Sequence, residues 1–493
     1  MFKEKTYGNL QELMAQNRVL YHFGELCKIP HPSFKEKQIS DYLLKWAKDS
    51  GFEASQDHKW NVFIKKQASA GCKNAPAVML QAHIDMVCEK EPEVEHNFDT
   101  DPIHLELDGD ILSTGGRTTL GADDGIGVAL AMAILEDDDI PHPPLEVLFT
   151  TAEEEDLSGA QEVDASSFKA RFLINIDNAV EHELLAGSCG GMGVELRLPA
   201  DMASVPDGFA AYKVNISGLP GGHSGEDIHR GHGNANSLMG RFLHACRENM
   251  QIYLASVEGG TFRLAIPRDA ETVMLIPAEK AQELKEIAKE TERQLKREYE
   301  AVAPEFALTV TETELPAGQA ASPKGVNRLL AAMYLSPNGI SAMNNAVTGV
   351  VESSDNMGVI RMEDGKFVIT YEIRASFETT REYIYEKIQM LSEVLGGECK
   401  SFADYPSWTF IQDSKLRKFA SDAYRREFND EIKTMVVHCG LECGCLCPKM
   451  PGLDAISIGP DCWGLHSPQE RLSISSTDRM YHFIKEMLAD IAK

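Results

Sequence analysis

The chain has 493 residues, 43% hydrophobic and 25% charged, which is the balance of a soluble globular protein with room for two domains. Its 48 basic and 76 acidic side chains give a net charge of −28, with no Lys/Arg-rich run. Such a surface repels phosphate backbones and anionic lipid, so neither nucleic acid nor membrane is expected as a partner. The polar start, Met1 to Leu10, does not read as a signal peptide, and the longest apolar stretch, Gly127 to Leu135, is too short to span a bilayer. Eleven scattered cysteines fit a reducing cytoplasm better than a disulfide framework. Cys439, Cys443, Cys445 and Cys447 cluster, but C-x-C-x-C without a CxxC pair favours buried thiols over a zinc site.

In chain order, Gln38 to Ser50 has helical spacing and Ala77 to Ala82 is an apolar run of strand length. Gly125 to Glu136 reads as an apolar helix, with Leu145 to Thr151 and Phe172 to Ile176 as further buried strands. Unbroken apolar strands alternating with helices predict a mostly parallel α/β sheet covered on both faces. The glycine-rich stretch Gly187 to Gly193 breaks this rhythm and suggests a hinge.

Beyond it, strands at Tyr212 to Ile216, Gln251 to Val257, Glu271 to Ile276 and Phe306 to Thr311 mix with helices at Asn236 to Cys246, Glu279 to Glu300, Val326 to Tyr334 and Arg381 to Leu395. A hairpin turns at Glu363-Asp364-Gly365. After about Thr409 the α/β character returns, with helices at Asp413 to Phe428 and Thr477 to Ala492 and a short strand at Ala455 to Ile458. The expectation is a discontinuous domain, 1–187 with 409–493, carrying an inserted α+β domain, 188–408.

Ligands of such sheets gather beyond the carboxyl ends of the strands. His83, Asp123, Glu153, Glu154, Asp177 and His466 all read as lying at or near such ends. Two histidines and several carboxylates on one sheet edge are the donor set of a divalent metal pair sharing a bridging carboxylate. Each residue alone has a plainer reading. His83 is a structural histidine unless Asp85, two residues on, orients its imidazole. Asp123 or Asp124 is a helix N-cap or a ligand. Glu153 and Glu154 begin an acidic loop, or divide the work of ligand and general base between opposite faces of an extended chain.

His182-Glu183-Leu184-Leu185-Ala186 lacks the second histidine of HExxH, and no Gly-x-Ser-x-Gly elbow or Walker loop occurs. In the insert, His223 lies in a glycine-rich loop with His229 and His232 nearby, which suits a further metal site or contact with an oxyanion or substrate. Arg374 is either a carboxylate clamp or a surface salt bridge.

The segments QAHIDMV, TTLGADDGIGVA, the Glu153-Glu154 pair, NID, GGHSGEDIHRGHGNAN, HCGLECG and IGPDCWGLHSPQERL resemble the metallopeptidase family of aminoacyl-histidine dipeptidases over nearly the whole chain. The resemblance implies a zinc-peptidase-like catalytic domain and an inserted lid that also serves as dimerisation surface. It implies two divalent ions, zinc, though manganese and cobalt tolerate the same ligands. His83, Asp123 and Asp177 would hold one, Asp123, Glu154 and His466 the other, with a non-proline cis peptide after Asp123.

The same resemblance makes Asp85 the residue that orients His83, Glu153 the general base of an activated water, His223 the group that polarises the scissile carbonyl, and Arg374 the clamp for a dipeptide's carboxylate. A cytoplasmic homodimer is the implied assembly. Sibling activities (aminoacylase, tripeptidase, carboxypeptidase) and a catalytically inactive peptide-binding homologue are the alternatives. The chain departs from the family at Leu264, where asparagine is usual, and at Asp156, where glycine is favoured.

Overall fold

The computed structural model describes residues 9–345 and 347–493, so Met1 to Gly8 of the polar start lie outside the described residues. Two compact units emerge. One is built from the chain up to Ser188 with Trp408–Val436 and Leu441–Lys493, the other from Cys189–Ser407 with Val437–Gly440.

The first unit is organised by an eight-stranded sheet of β1 (Glu53–Gln56), β2 (Val62–Lys66), β3 (Val78–His83), β4 (Leu145–Thr150), β5 (Phe172–Asn175), β6 (Glu183–Ser188), β7 (Lys433–Val437) and β8 (Asp454–Ser457), ordered β1-β2-β4-β3-β5-β8-β6-β7. Its centre is parallel, as the continuous apolar runs predict: β4, β3, β5 and β8 all run the same way. Antiparallel strands extend it on both sides, β2 against β4 and β6 against β8.

Alternation sorts the side chains of the central strands onto two faces. Val78, Leu80, Ala82, Leu145, Val147, Phe149, Phe172 and Ile174 join a core with the helices Arg18–Leu26, Lys37–Asp49, Ala122–Glu136, Lys415–Phe428 and Ile474–Ile491. Gln81, His83, Thr150, Asn175 and Ser457 take the alternate positions, and all five are buried. Polar residues inside a sheet centre are costly unless bonded, so this second face is built for something other than packing.

A four-stranded antiparallel sheet lies elsewhere in the same unit, in the order Cys462–Trp463, Arg471–Ser473, Ile111–Ser113, Glu106–Asp108. It pairs the strand that precedes the Asp123 loop with the strand that follows the His466 turn: Arg471 faces Ser113, Leu472 faces Leu112 and Ser473 faces Ile111. Asp123 and His466 are therefore presented by loops of this small sheet rather than by ends of the parallel strands, which corrects the sequence expectation.

In the second unit an eleven-stranded sheet shares one core with the helices Ala235–Asn249, Ala281–Glu298, Pro323–Leu335 and Glu378–Leu395. The hairpin expected at Glu363-Asp364-Gly365 joins Val351–Glu363 to Lys366–Ala375, with Asp364 and Gly365 both at positive φ. The glycines after Cys189 are paired strand, Gly190–Pro199, and not a loop. A Cβ on Gly190 would meet an Arg381 nitrogen at 2.2 Å, and one on Gly191 the Tyr405 hydroxyl oxygen at 2.1 Å. These glycines make room for neighbouring side chains. No helix among the described residues is long and apolar enough to cross a membrane.

Candidate metal centre

Six of the seven residues singled out for catalysis and metal binding in the first unit, His83, Asp123, Glu153, Glu154, Asp177 and His466, fall into three overlapping groups. The groups are His83 with Asp123 and Asp177, Asp123 with Glu154 and His466, and His83 with Glu153 and Glu154, the donor atoms of each lying within 4.8 Å of one another. Asp123 belongs to two of them through different oxygens. Its Oδ1 is 3.1 Å from His83 Nε2, and its Oδ2 is 3.3 Å from His466 Nε2. Asp177 Oδ1 stands 3.7 Å from His83 Nε2, and Glu154 Oε2 stands 3.0 Å from His466 Nε2.

The two neighbouring aspartates divide the readings left open by sequence. Helical φ and ψ begin only after Asp124. The Asp124 carboxylate accepts the Gly127 N–H at 3.2 Å, as a cap does, and the His83 N–H at 3.2 Å. That leaves the Asp123 carboxylate to face the two imidazoles. The peptide between them is cis.

Asp85 does more than contact the imidazole. Its Oδ1 lies 3.3 Å from His83 Nδ1, while its two oxygens accept the N–H groups of Glu153 and Glu154 at 3.0 and 3.2 Å. Ser33 donates to it at 2.8 Å. One buried carboxylate thus holds the end of β3 against the Glu153-Glu154 segment. That segment is a helical turn, Glu153–Asp156, entered through Ala152 at φ 54°, and not extended chain. The two glutamates diverge by the rotation of a helix, about 100° per residue, rather than by strand alternation.

The electrostatics leave this cluster short of positive charge. Burial and neighbouring carboxylates push Glu153 and Asp177 well above the usual carboxylate range, and Glu154 upward as well, although His83 opposes each. Burial would raise Asp123 too, but hydrogen bonds from His466 and His83 hold it low. Hydrogen bonds to Asp123 and Glu154 lift His466 to about 11. Among the described residues no lysine or arginine pairs with any of the four acids.

The donor set passes a test of fit to divalent ions. Bonds of ~2.0–2.2 Å to a tetrahedral ion separate its donor atoms by roughly 3.3–3.6 Å. The contacts given above, 3.0 to 3.7 Å, straddle that range. Glu154 Oε1 is buried with no hydrogen-bond partner, an acceptor that a cation would satisfy.

Two residues of this unit escaped the sequence reading. Glu442 is fully buried, its Oε2 accepting from Gln81 at 2.5 Å and Thr150 at 2.7 Å. Glu470 accepts four consecutive backbone N–H groups, those of residues 120 to 123. Neither acid carries a mark in sequence that it is buried.

His223 and Arg374 belong to the second unit. Arg374 is only 2% exposed, so the surface salt-bridge reading does not hold. It donates to Tyr405 Oη at 2.8 Å and to Ser224 Oγ at 3.3 Å. The Glu226 N–H donates to His223 Nδ1 at 3.1 Å. Arg374 Nη2 lies 3.3 Å from His223 Nε2, so the guanidinium and the imidazole face one another in this unit. His229 and His232 join no metal-binding group among the described residues, and neither does any cysteine. All eleven cysteines are free thiols.

His438, also in this unit, lies 2.7 Å from Ser354 Oγ, and its Nδ1 is buried without a partner. Burial, helped by the charges of Arg374 and His223, lowers its pKa to about 3. The unfolded value is ~6.5, so below that pH the unfolded chain takes up a proton that the folded chain refuses. Stability present above pH ~6.5 is then lost as pH falls toward 3, by at most about 1.4 kcal/mol per pH unit from this group. Unfolding midpoints measured from pH 7 to 4 should fall more steeply in the parent than in His438→Asn. Equal slopes would contradict this assignment.

Comparison with known proteins follows the same lines. The chain is 36% identical over 469 residues to the cytosol non-specific dipeptidase of Escherichia coli strain K12, covering 95% of this chain and 96% of that one. The chain belongs to the aminoacyl-histidine dipeptidase family. The crystal structure of the family's aminoacylhistidine dipeptidase from Vibrio alginolyticus superposes with a TM-score of 0.86 at 35% identity, over 96% of both chains. Residues 214–303 match the peptidase dimerisation domain. An aminopeptidase PepT structure from Bacillus cereus, at 14% identity and a TM-score of 0.56, shares the fold over 98% of this chain. The α/β peptidase architecture with its inserted domain is therefore that of a hydrolase family.

Proposed function

We propose that this protein hydrolyses unblocked dipeptides, Xaa-His among them, at a centre where Asp123 is shared between two divalent ions. The observation that carries this reading is the Asp123 carboxylate itself, one oxygen facing His83 and the other His466. His83, Asp123 and Asp177 would hold one ion and Asp123, Glu154 and His466 the other. Zinc is favoured, though manganese and cobalt suit the same donors. When bound, the pair supplies Lewis acidity and lowers the pKa of water at the site toward ~7.

Glu153 takes the proton of the attacking water and returns it to the leaving amine, so the peptide C–N bond breaks with no net change in Glu153. Asp85 keeps Glu153 and Glu154 in register with His83 through the two N–H groups it accepts. In the second unit we assign the substrate's free carboxylate to Arg374, fixed by Tyr405 and Ser224, and its scissile carbonyl to His223. The match to the dimerisation domain supports a homodimer formed through this unit. The relative's name and the eleven free thiols support a cytoplasmic setting.

Leu264 favours one variation, a substrate range unlike that of relatives with asparagine there. A panel of Xaa-His and other dipeptides, their carboxamides, N-acylated forms and tripeptides tests the reading. Free dipeptides should turn over, and carboxamides should lose roughly 10²-fold or more in kcat/KM. Arg374→Lys should raise KM for free dipeptides while leaving the carboxamides nearly unaffected, because lysine cannot reproduce the planar fork. Preference for N-acylated substrates or tripeptides would move the protein to a sibling activity, and no turnover of any short peptide would favour a binding protein.

A further inference from the structure

We infer that Glu470 is a positioning residue that sets the distance between Asp123 and His466, and so the spacing of the proposed ion pair. This inference rests on the two-ion reading. Glu470 is 2% exposed and comes four residues after His466. Its Oε2 accepts the N–H groups of Leu120 and Gly121 at 2.6 and 3.0 Å, and its Oε1 those of Ala122 and Asp123 at 2.8 and 3.3 Å. Four consecutive N–H groups turn toward one point because Gly121 sits at φ 71°, where a side chain would be strained. The backbone of Asp123 is thereby pinned, while its carboxylate stays free to face both imidazoles.

The other end of the link is equally short. Glu470 N–H donates to Ser467 O at 3.0 Å, and Ser467 Oγ donates to Gly464 O at 2.7 Å, closing the turn that carries His466 at φ 58°. The His466 side chain is 52% exposed, so packing does not hold it in place and the turn must. Arg471–Ser473, which starts at the next residue, pairs with Ile111–Ser113, and this register delivers Glu470 beneath the loop that leads to Asp123. One acceptor-only side chain therefore joins the shared carboxylate to the exposed histidine. Glutamine would put an NH₂ against N–H donors and leave two of them without an acceptor.

A plainer role is also available to Glu470, that of an anion capping the helix Ala122–Glu136, which would affect stability alone. Cobalt titration separates the two roles. The parent, Glu470→Gln, Glu470→Asp and a core control of matched stability loss, Ile491→Ala, are loaded with cobalt and followed by calorimetry and visible absorption. If Glu470 positions the pair, Glu470→Gln should bind the second equivalent roughly 10–100-fold more weakly with an altered spectrum. Its kcat should fall with KM within about twofold, because substrate contacts are untouched.

Glu470→Asp should show the same changes to a smaller degree, and it decides the matter if the glutamine variant does not fold. Ile491→Ala should keep the parental spectrum and affinities. Parental spectra and affinities in both Glu470 variants, with only thermal stability reduced, would overturn the inference. A parent that takes up no cobalt would overturn the two-ion reading instead, and that failure is visible before any variant is examined.

Discussion

Glutamine in place of Glu153 is expected to leave two ions bound and to lower kcat by roughly 10²–10⁴-fold, the span that a general base commonly contributes. The expectation follows from a division of labour within one helical turn. Glu154 Oε2 faces His466 at 3.0 Å and its other oxygen is buried without a partner, the posture of a ligand. Glu153 lies beside it, in a pocket where burial and the charges of Asp177, Glu154 and Glu442 favour taking up a proton. Glutamine keeps the shape and the hydrogen bond that the residue 153 N–H donates to Asp85, but it cannot accept a proton. Metal content and steady-state kinetics on the same preparation check it. Loss of an ion would make Glu153 a ligand, as its proximity to His83 and Glu154 also allows. Retention of more than about a tenth of kcat would place the base elsewhere.

Alanine at Asp123 should have the larger effect on the centre itself. The two oxygens of the Asp123 carboxylate lie 3.1 and 3.3 Å from the two imidazoles, so its removal takes a donor from both proposed sites at once. It also leaves His83 and His466 without the acceptor that, with Asp85 and Glu154, raises their basicity. The expected outcome is fewer than two bound ions. Turnover should drop by roughly 10³-fold or more, since the ions are asked to supply several kcal/mol of transition-state stabilisation. Because Asp124 rather than Asp123 accepts the Gly127 N–H of the following helix, thermal stability in chelator should change little. A variant that binds two ions as the parent does would remove Asp123 from its bridging role.

What the sequence disclosed is what hydrophobic pattern and donor chemistry can disclose. Val78–His83, Leu145–Thr150 and Phe172–Asn175 are legible because continuous apolar runs of strand length admit few other readings. The metal-facing residues are legible as a set, since histidines and acids at these places serve packing poorly. Contacts made by backbone groups were not legible. Asp85 reads as the partner of an imidazole, yet half its bonds go to the N–H groups of Glu153 and Glu154. Glu470 binds nothing but main chain, so residue type gives no hint of its place.

Local conformation also outran pattern. An acidic run after a strand looks extended, but Ala152 at positive φ turns it into helix. The glycines from Gly190 to Gly193 look like a loop, and only the positions of Arg381, Tyr405 and Phe402 explain why a strand needs them. His466 is legible by its chemistry but not by its topology, because the small sheet that carries it consists of strands of two and three residues.

The shared carboxylate is the point on which the rest depends, and anomalous diffraction from zinc-loaded crystals tests it most directly. Two peaks about 3.5–4 Å apart, both within bonding distance of Asp123, with His83 and Asp177 on one and Glu154 and His466 on the other, are the predicted result. A single peak, or peaks whose nearest donors do not include Asp123, would contradict it.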